Sequence, residues 1–302
     1  MSHGFDVPEF SFENRIPNDK TGRMRRLLDC ASDNSKTAAG VIENAKKAGC
    51  RFDFMSGIDG YIGFFDMKTN AVCLNVMLSN EELMTALVHE SRHAVQPLCS
   101  MSADRNIRTN LQINRSKEAD ATAFECAAAY EMRKTYPKAW RAFKKDHAAI
   151  AVAYAKAAKS KKRSPFALGE AFKAWHSEAD YVAEYDKDVV RFLAVREKSS
   201  GGKFLSGNMT PREIENLFCR HTGKPYLDEP DFLSSSAALS VDFETMRQIK
   251  ALSKRLGNSR TERDKSVDEL ILRHADVKTR IRQAANPSRP AVFKFTDGKR
   301  GR

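Results

Sequence analysis

The chain has 302 residues, of which 41% are hydrophobic and 30% are charged, so it is long enough for one large or two ordinary globular domains. No apolar run is long enough to span a bilayer, and the first twenty residues lack the apolar segment of a signal peptide. The six cysteines form no C-x-x-C pair, which argues against a zinc ribbon and a disulfide framework. We therefore expect a cytoplasmic protein with no membrane partner.

The formal net charge of +12 is unevenly distributed along the chain. Residues 1–134 carry 17 basic and 18 acidic residues, whereas residues 135–302 carry 34 and 21. Residues 201–302 alone have 20 basic and 13 acidic residues. This basic half could attract nucleic acid or another acidic partner, although a solvated basic helical surface explains the same excess.

The N-terminal third contains the predicted strands. After an N-terminal segment, residues 1–34, with a short helical candidate at 22–31, a helix is expected from Ser35 as its N-cap to about Lys47. Three β candidates follow at 51–55, 61–67 and 71–77, and the last two form a predicted hairpin. No strand is predicted after residue 79.

A well-marked helix starts after the hairpin. Ser79 and Glu82 form the pattern of a capping box, with Leu78 and Leu83 as its hydrophobic staple. Apolar residues then recur at helical spacing up to Val95. The helix carries the sequence LVHESRHAVQ, residues 87–96.

The rest of the chain is predicted to be helical. The expected segments are 114–136, ended by Pro137, then 138–160, 166–197, a helix opening at Thr210 and Pro211, and a basic helix from Ser266 to about Ala285. A Gly/Ser-rich stretch at 198–208 is the candidate linker. We therefore predict a domain over 35–199 and a basic helical extension over 200–302, in an α+β, predominantly helical fold with a small sheet before the 80–95 helix.

His89 and His93 lie four positions apart, so on a helix their imidazoles can converge on one metal ion. Glu90 stands at the edge of such a site, where it can accept a proton from an activated water and pass it to a leaving amine. This is the H-E-x-x-H arrangement of zinc metallopeptidases. Two ordinary helix histidines are the competing interpretation.

A catalytic zinc ion needs a third protein ligand, and the next helix offers Glu118, Asp120 and Glu125. Glu118 and Glu125 can share one helix face, while Asp120 points away from it. We select Glu118 as the ligand, treat Asp120 as a supporting or capping group, and expect Glu125 to be a solvated carboxylate.

The HESRH sequence and the later EADATAF sequence resemble the glutamate-ligand zincins, and more narrowly a bacterial family of metallopeptidase-like domains with HExRHxxQ and EADA segments. The stretch AFKAWHSEADYVAEYD is also similar to that family, so the resemblance covers about residues 50–195. It implies a zincin-like domain with His89, His93 and Glu118 as zinc ligands and Glu90 as the general base. Well-studied zincins commonly have an acidic residue four positions after the ligand glutamate, whereas this chain has Thr122.

The predicted function is zinc-dependent hydrolysis of a peptide or protein substrate, which would lie extended along the edge strand of the hairpin. Two alternatives remain: a catalytically inactive metal-binding regulatory module, and a nucleic-acid-associated protein that acts through its basic C-terminal half. The oligomeric state is not predicted.

Several other residues are secondary candidates. His176, His147, Tyr130 and Tyr154 could donate a hydrogen bond to an oxyanion, and the sequence does not rank them, although a packed His176 is the simpler interpretation. Arg92 is expected to form an ion pair with a neighbouring element. Gln96 could border the cleft, and no role is assigned to it.

Overall fold

The structure is a computed structural model that describes residues 20–58, 60–97, 101–160, 166–200, 207–229, 231–256 and 264–273. It is mostly helical, with one three-stranded sheet and short strand pairs, which confirms the α+β, predominantly helical class. None of the helices in these ranges combines the length and apolar character that a membrane span requires.

Two helices precede the sheet, namely α1 (Lys20–Asn34) and α2 (Lys36–Lys47). The side chain of Ser35 accepts a hydrogen bond from the backbone N–H of Ala38, so the predicted N-cap is confirmed. After α2 the chain turns at Gly49, whose φ of 73° is in the left-handed region that favours glycine.

The sheet contains β1 (Arg51–Met55), β2 (Gly63–Asp66) and β3 (Ala71–Asn75). The central strand β3 pairs in parallel with β1 and in antiparallel with β2, which confirms the predicted hairpin. The strand β2 therefore lies at one edge of the sheet.

The next helix, α3 (Asn80–Val95), begins with the predicted capping box of Ser79 and Glu82. The buried Arg23 of α1 ties this helix start to the sheet. Its guanidinium donates to Asn80 Oδ1 at 2.9 Å and to the carbonyl oxygens of Val76 and Leu78, each at 2.7 Å. The entry angle of α3 is thus fixed by hydrogen bonds as well as by apolar packing.

The central helix α4 (Ile107–Glu131) packs along α3 and is buried over nearly its whole length. It begins seven residues before the predicted start at residue 114, and Asn106 caps it by accepting from the backbone N–H of Thr109. The predicted start was wrong because the polar residues of its first turns are buried and paired: Asn110 Nδ2, for example, donates to Ser102 O at 3.0 Å. Pro137 does not end α4 but opens the following helix.

Two long helices predicted after Pro137 are each divided in two. The four observed helices are α5 (Pro137–Asp146), α6 (Ala148–Lys159), α7 (Phe166–Trp175) and α8 (Ala179–Ser200). The first break is at His147, whose φ of −129° and ψ of 55° are not helical. The second break lies at residues 176–178.

The C-terminal part mixes short helices and strands, listed in chain order as α9 (Pro211–Phe218), β4 (Arg220–His221), β5 (Lys224–Pro225), α10 (Ser236–Leu239), β6 (Ser240–Val241), α11 (Phe243–Arg255) and β7 (Ile271–Leu272). The capping box of Thr210 and Glu213 is confirmed.

Two C-terminal predictions were wrong. Strands do occur after residue 79, and a 3-10 turn (Lys265–Glu269) followed by β7 replaces the start of the helix predicted from Ser266. Parallel pairing of β7 with β6 holds this segment in an extended form, and Arg273 N–H donates to Val241 O at 2.7 Å. Residues 274–285 of that predicted helix, and residues 201–206 of the candidate linker, lie outside the described residues.

The helix α4 contributes to both hydrophobic clusters of the described residues. The larger cluster is formed by residues of α1 to α7 and also includes Phe218 and Tyr226. The smaller cluster joins the start of α4 to α8 and α11. Residues on both sides of position 200 therefore pack on the same central helix. The domain division at residue 200 stays a prediction.

A buried ion pair between Arg115 of α4 and Asp186 of α8 joins these parts. The guanidinium donates to both carboxylate oxygens at 2.7 and 2.6 Å. It also donates to the carbonyl oxygens of Ala238 and Ser240 at 2.6 and 3.0 Å. Both side chains are at most 1% exposed, so the pair is shielded from water.

We expect Asp186→Ala to lower the free energy of unfolding by about 3–5 kcal/mol, because it leaves the Arg115 charge buried without its counter-ion. Urea denaturation measures this change. The control is Glu184→Ala on the same helix, which removes an exposed pair with Lys187 and should cost about 0–1 kcal/mol. Equal losses for the two variants would contradict a supporting role for the buried pair.

Candidate metal centre

Two adjacent helices bring His89, His93 and Glu118 together. The imidazoles project from α3, and the carboxylate projects from α4, which packs beside it. One ligand atom from each residue lies within 4.8 Å of the others. The Nε2 atoms of His89 and His93 are each 3.5 Å from Oε2 of Glu118.

The two 3.5 Å distances from Glu118 Oε2 fit a tetrahedrally coordinated cation. Ligand atoms bound at about 2.0–2.2 Å in a tetrahedral site lie about 3.3–3.6 Å from one another. The distance of 3.5 Å is also longer than a strong hydrogen bond between an imidazole and a carboxylate. The three side chains are at most 6% exposed, and two imidazole nitrogens with one carboxylate are a suitable donor set for a divalent cation.

The electrostatics of the cluster favour a positive charge at its centre. Burial alone would lower the pKa of His89, but the carboxylates of Glu118 and Glu125 outweigh burial and raise it to about 10. Burial also opposes ionisation of Glu118, yet the imidazoles of His93 and His89 hold its pKa well below its usual value. The point where the ligand atoms meet is therefore suited to a proton or a metal cation.

Glu125 is buried at 5% exposure and is not the solvated carboxylate expected from the sequence. Its Oε2 lies 3.1 Å from Nδ1 of His89. Because the carboxylate accepts from Nδ1–H, the lone pair on Nε2 remains for a metal ion on the Glu118 side. Packing of α4 against α3 encloses Glu125, which a single-helix pattern cannot reveal.

Asp120 and Arg92 form a buried ion pair beside the ligands. Arg92 donates to the Asp120 carboxylate through Nε at 2.8 Å and Nη2 at 3.2 Å. The expected ion pair of Arg92 with a neighbouring element is thus confirmed. Gln96 lies between Asp120 and the second histidine: its Oε1 is 2.8 Å from His93 Nδ1, and its Nε2 is 2.7 Å from Asp120 Oδ2.

Glu90 follows His89 on α3 and is 1% exposed. Burial raises the pKa of its carboxyl group, which makes the carboxylate a better proton acceptor. The edge strand β2 passes close to it at Gly63, where an added Cβ would lie 3.6 Å from Glu90 Cγ and only 2.9 Å from Cys73 O. Glycine is therefore required where this strand crosses the site.

Tyr185 of α8 lies beside Glu118, although no sequence pattern singled it out. Burial, followed by the negative charge of Glu118, holds the pKa of its phenol well above the ordinary value, so the hydroxyl stays protonated. Its backbone is fixed by a 3.0 Å hydrogen bond from Asn114 Nδ2 to its carbonyl oxygen. The adjacent Asp186 carries the ion pair with Arg115.

The other proposed oxyanion donors occupy different surroundings. His176 packs against Phe172, and burial lowers its pKa to about 3, in agreement with a packed histidine. The rings of Tyr130 and Tyr154 meet edge to face, with their centroids 5.4 Å apart. The ring of His147 lies 4.6 Å from that of Tyr181, and its charge helps to lower the pKa of Glu125 against the effect of burial.

The chain matches the model of the Putative metallopeptidase family (DUF6782) over residues 6–227. The match includes α3, α4 and α8 and extends through Tyr226. No curated protein and no solved structure gives a match.

We expect the purified protein to take up close to one divalent ion per chain when supplied with zinc, and His93→Ala and Glu118→Ala to lose it, because each removes one of three ligand atoms. Elemental mass spectrometry after dialysis measures the metal content. His176→Ala, which changes a buried histidine outside the cluster, should keep the ion. Retention of zinc by both ligand variants would rule out this centre.

Proposed function

The chain belongs to the Putative metallopeptidase family (DUF6782), whose model it matches over residues 6–227, and we propose that it hydrolyses peptide bonds with a zinc ion held by His89, His93 and Glu118. The observation that carries this proposal is the convergence of three buried ligand atoms beside the buried carboxylate of Glu90. The arrangement resembles that of a glutamate-ligand zincin, with the HExxH sequence on α3 and the proposed third ligand on α4.

The protein supplies the ion's binding groups and their orientation. The Nε2 atoms of the two histidines and a carboxylate oxygen of Glu118 are the proposed ligands. A bound zinc ion supplies Lewis-acid chemistry, which lowers the pKa of a water molecule and polarises a carbonyl group. Glu125 and Gln96 hold the two imidazoles from their Nδ1 sides.

Glu90 is the proposed general base. Its carboxylate accepts a proton from the attacking water as the oxygen bonds to the carbonyl carbon, and it then gives that proton to the leaving amine nitrogen. The neighbouring side chains keep bulk water away, since Glu90 and both histidines are almost completely buried. A glutamine at this position could not carry the proton.

The phenol of Tyr185 is the proposed donor to the carbonyl oxygen of the scissile bond. A neutral hydroxyl that lies beside the ligand Glu118 can stabilise the negative charge that develops on that oxygen. The Arg115–Asp186 pair and the Asn114 hydrogen bond limit the movement of this part of α8. Such preorganisation reduces the reorganisation needed during the reaction.

The edge strand β2 supports binding of an extended peptide. It passes Glu90 at Gly63 and forms one side of the three-stranded sheet, so a peptide can add to it through main-chain hydrogen bonds. The proposed substrate is therefore an unfolded or extended segment of a peptide or protein. A basic surface that binds nucleic acid remains an alternative for the C-terminal half, and no contact among the described residues favours it.

We expect Glu90→Gln to lower kcat/KM by a factor of about 10²–10⁴, because it removes the proton acceptor while preserving the shape of the side chain. Cleavage of a mixed peptide library, followed by mass spectrometry, measures the activity of zinc-loaded protein. Glu131→Gln is the matched control, since Glu131 lies on α4 but bonds to Ser35 and Thr37 away from the cluster.

The zinc content of the Glu90→Gln protein should stay at the wild-type level. A wild type that binds zinc but cleaves no peptide would instead support the catalytically inactive metal-binding module. Full activity in the Glu90→Gln protein would exclude Glu90 as the base.

We expect Tyr185→Phe to lower kcat by a factor of about 10²–10³ with its zinc content unchanged, because one oxyanion donor is lost. Tyr181→Phe, one helical turn earlier on α8, should have a much smaller effect because its ring contacts His147. A Tyr185→Phe protein that loses zinc but has wild-type kcat when fully loaded would show that Tyr185 only orients Glu118.

A further inference from the structure

We infer that Gln96 is a positioning residue that transmits the fixed orientation of the Asp120 carboxylate to the imidazole of His93. This inference rests on the proposed metal centre and assigns a role to a residue that the sequence left without one. Gln96 follows the last turn of α3 as its C-cap, with an extended backbone (φ −69°, ψ 149°), and its side chain is only 7% exposed.

The orientation of the Gln96 amide is determined by two acceptors. Its Nε2 lies 2.8 Å from the carbonyl oxygen of Lys117 and 2.7 Å from Oδ2 of Asp120. Neither acceptor can donate a hydrogen, because one is a backbone carbonyl and the other belongs to a carboxylate paired with Arg92. An amide turned by 180° would place its carbonyl oxygen against both, so the –NH2 group must face them.

The fixed amide in turn determines which nitrogen of His93 carries a hydrogen. Oε1 of Gln96 can only accept, and it lies 2.8 Å from His93 Nδ1. Nδ1 must therefore hold the hydrogen. The lone pair of a neutral imidazole is then on Nε2, the atom that lies 3.5 Å from Glu118 Oε2.

Asp120 is a rigid origin for this chain of hydrogen bonds. Oδ2 accepts from Gln96 Nε2 and from Arg92 Nε at 2.8 Å, while Oδ1 accepts from Arg92 Nη2 at 3.2 Å and from the Tyr226 hydroxyl at 2.8 Å. Each oxygen thus receives two hydrogen bonds. Asp120 is fully buried, so water does not compete for these bonds.

The two histidines are held by chemically different partners. His89 bonds directly to the charged carboxylate of Glu125, whereas His93 bonds to a neutral amide. Glu90, Glu118 and Glu125 already place three buried carboxyl groups around the centre. The neutral amide of Gln96 orients His93 without adding another negative charge to these three carboxyl groups and to Asp120.

The test compares Gln96→Met with Gln112→Met in the full-length protein. Gln112 is also a buried glutamine, 2% exposed, and its Nε2 donates to a backbone carbonyl, that of Leu233, at 2.7 Å. We expect Gln96→Met to weaken zinc binding by a factor of about 10–100, as loss of a group that orients a metal-bound histidine does. The control should keep the wild-type affinity, measured by competition with a chromophoric chelator.

A second measurement needs no metal. The His93 Nδ1–H proton, protected by its hydrogen bond to Gln96, should give a downfield NMR resonance in metal-free wild type and in Gln112→Met, and this resonance should be lost in Gln96→Met. Urea denaturation of the metal-free proteins shows whether each variant is still folded. A weaker zinc affinity in a folded variant can then be assigned to the orientation of His93. Asp120→Asn should also weaken zinc binding, whereas Glu131→Gln, which changes a carboxylate of α4 away from the cluster, should not.

These outcomes separate the inference from the proposed function. If wild type binds no zinc but the resonance follows Gln96, the metal site fails and the hydrogen-bonded chain stands. If wild type binds zinc and Gln96→Met retains both the affinity and the resonance, Gln96 does not position His93 and the inference is wrong.

Discussion

The burial of three carboxylates of α4 against α3 is the constraint on which the structure of the centre depends. Glu118, Asp120 and Glu125 are at most 5% exposed, and a buried carboxylate is costly unless a cation or hydrogen-bond donors compensate for it. Asp120 has Arg92 and Tyr226, and Glu125 has His89. Glu118 faces two imidazole nitrogens at 3.5 Å, so its compensation is the proton or metal cation held between them. The proposed metal-binding chemistry thus follows from the same electrostatic requirement that shapes the helix interface.

The compensating groups come from parts of the chain that are distant in sequence. Arg92 donates to the carbonyl oxygen of Arg220 at 3.0 Å as well as to Asp120, and Tyr226 donates to Asp120 from beyond the α9 helix. Arg115 likewise joins α4 to α8 and to the carbonyl oxygens of Ala238 and Ser240. The centre is therefore supported by residues on both sides of position 200. A truncation at residue 200 would remove the Tyr226 hydrogen bond from Asp120 as well as basic charge.

The sequence predicted the features that depend on local chemistry. The capping boxes at Ser79 and Thr210, the hairpin and the helix that carries His89 and His93 were all readable from neighbouring residues. The start of α4 was missed because buried polar residues such as Asn110 obscure the apolar period and are paired only through tertiary contacts. The roles of Gln96 and Glu125, and the involvement of Tyr185, were missed for a related reason. Gln96 contacts Asp120, Glu125 contacts His89 and Tyr185 lies beside Glu118, each on a different helix, so spacing along one helix does not reveal these contacts.

Glu125 explains how the proposed centre can have Thr122 four positions after Glu118. The proposed centre needs an acceptor for Nδ1–H of His89, because that hydrogen bond places the lone pair of the imidazole on Nε2. Seven residues span about two helical turns, so Glu125 is on the same face of α4 as Glu118 and reaches His89 at 3.1 Å. Thr122 is also buried, but its neutral hydroxyl would not supply the negative charge that a carboxylate gives to the imidazole. The imidazole requires a charged acceptor at one position in space, and a carboxylate either four or seven residues after the proposed ligand glutamate can reach that position.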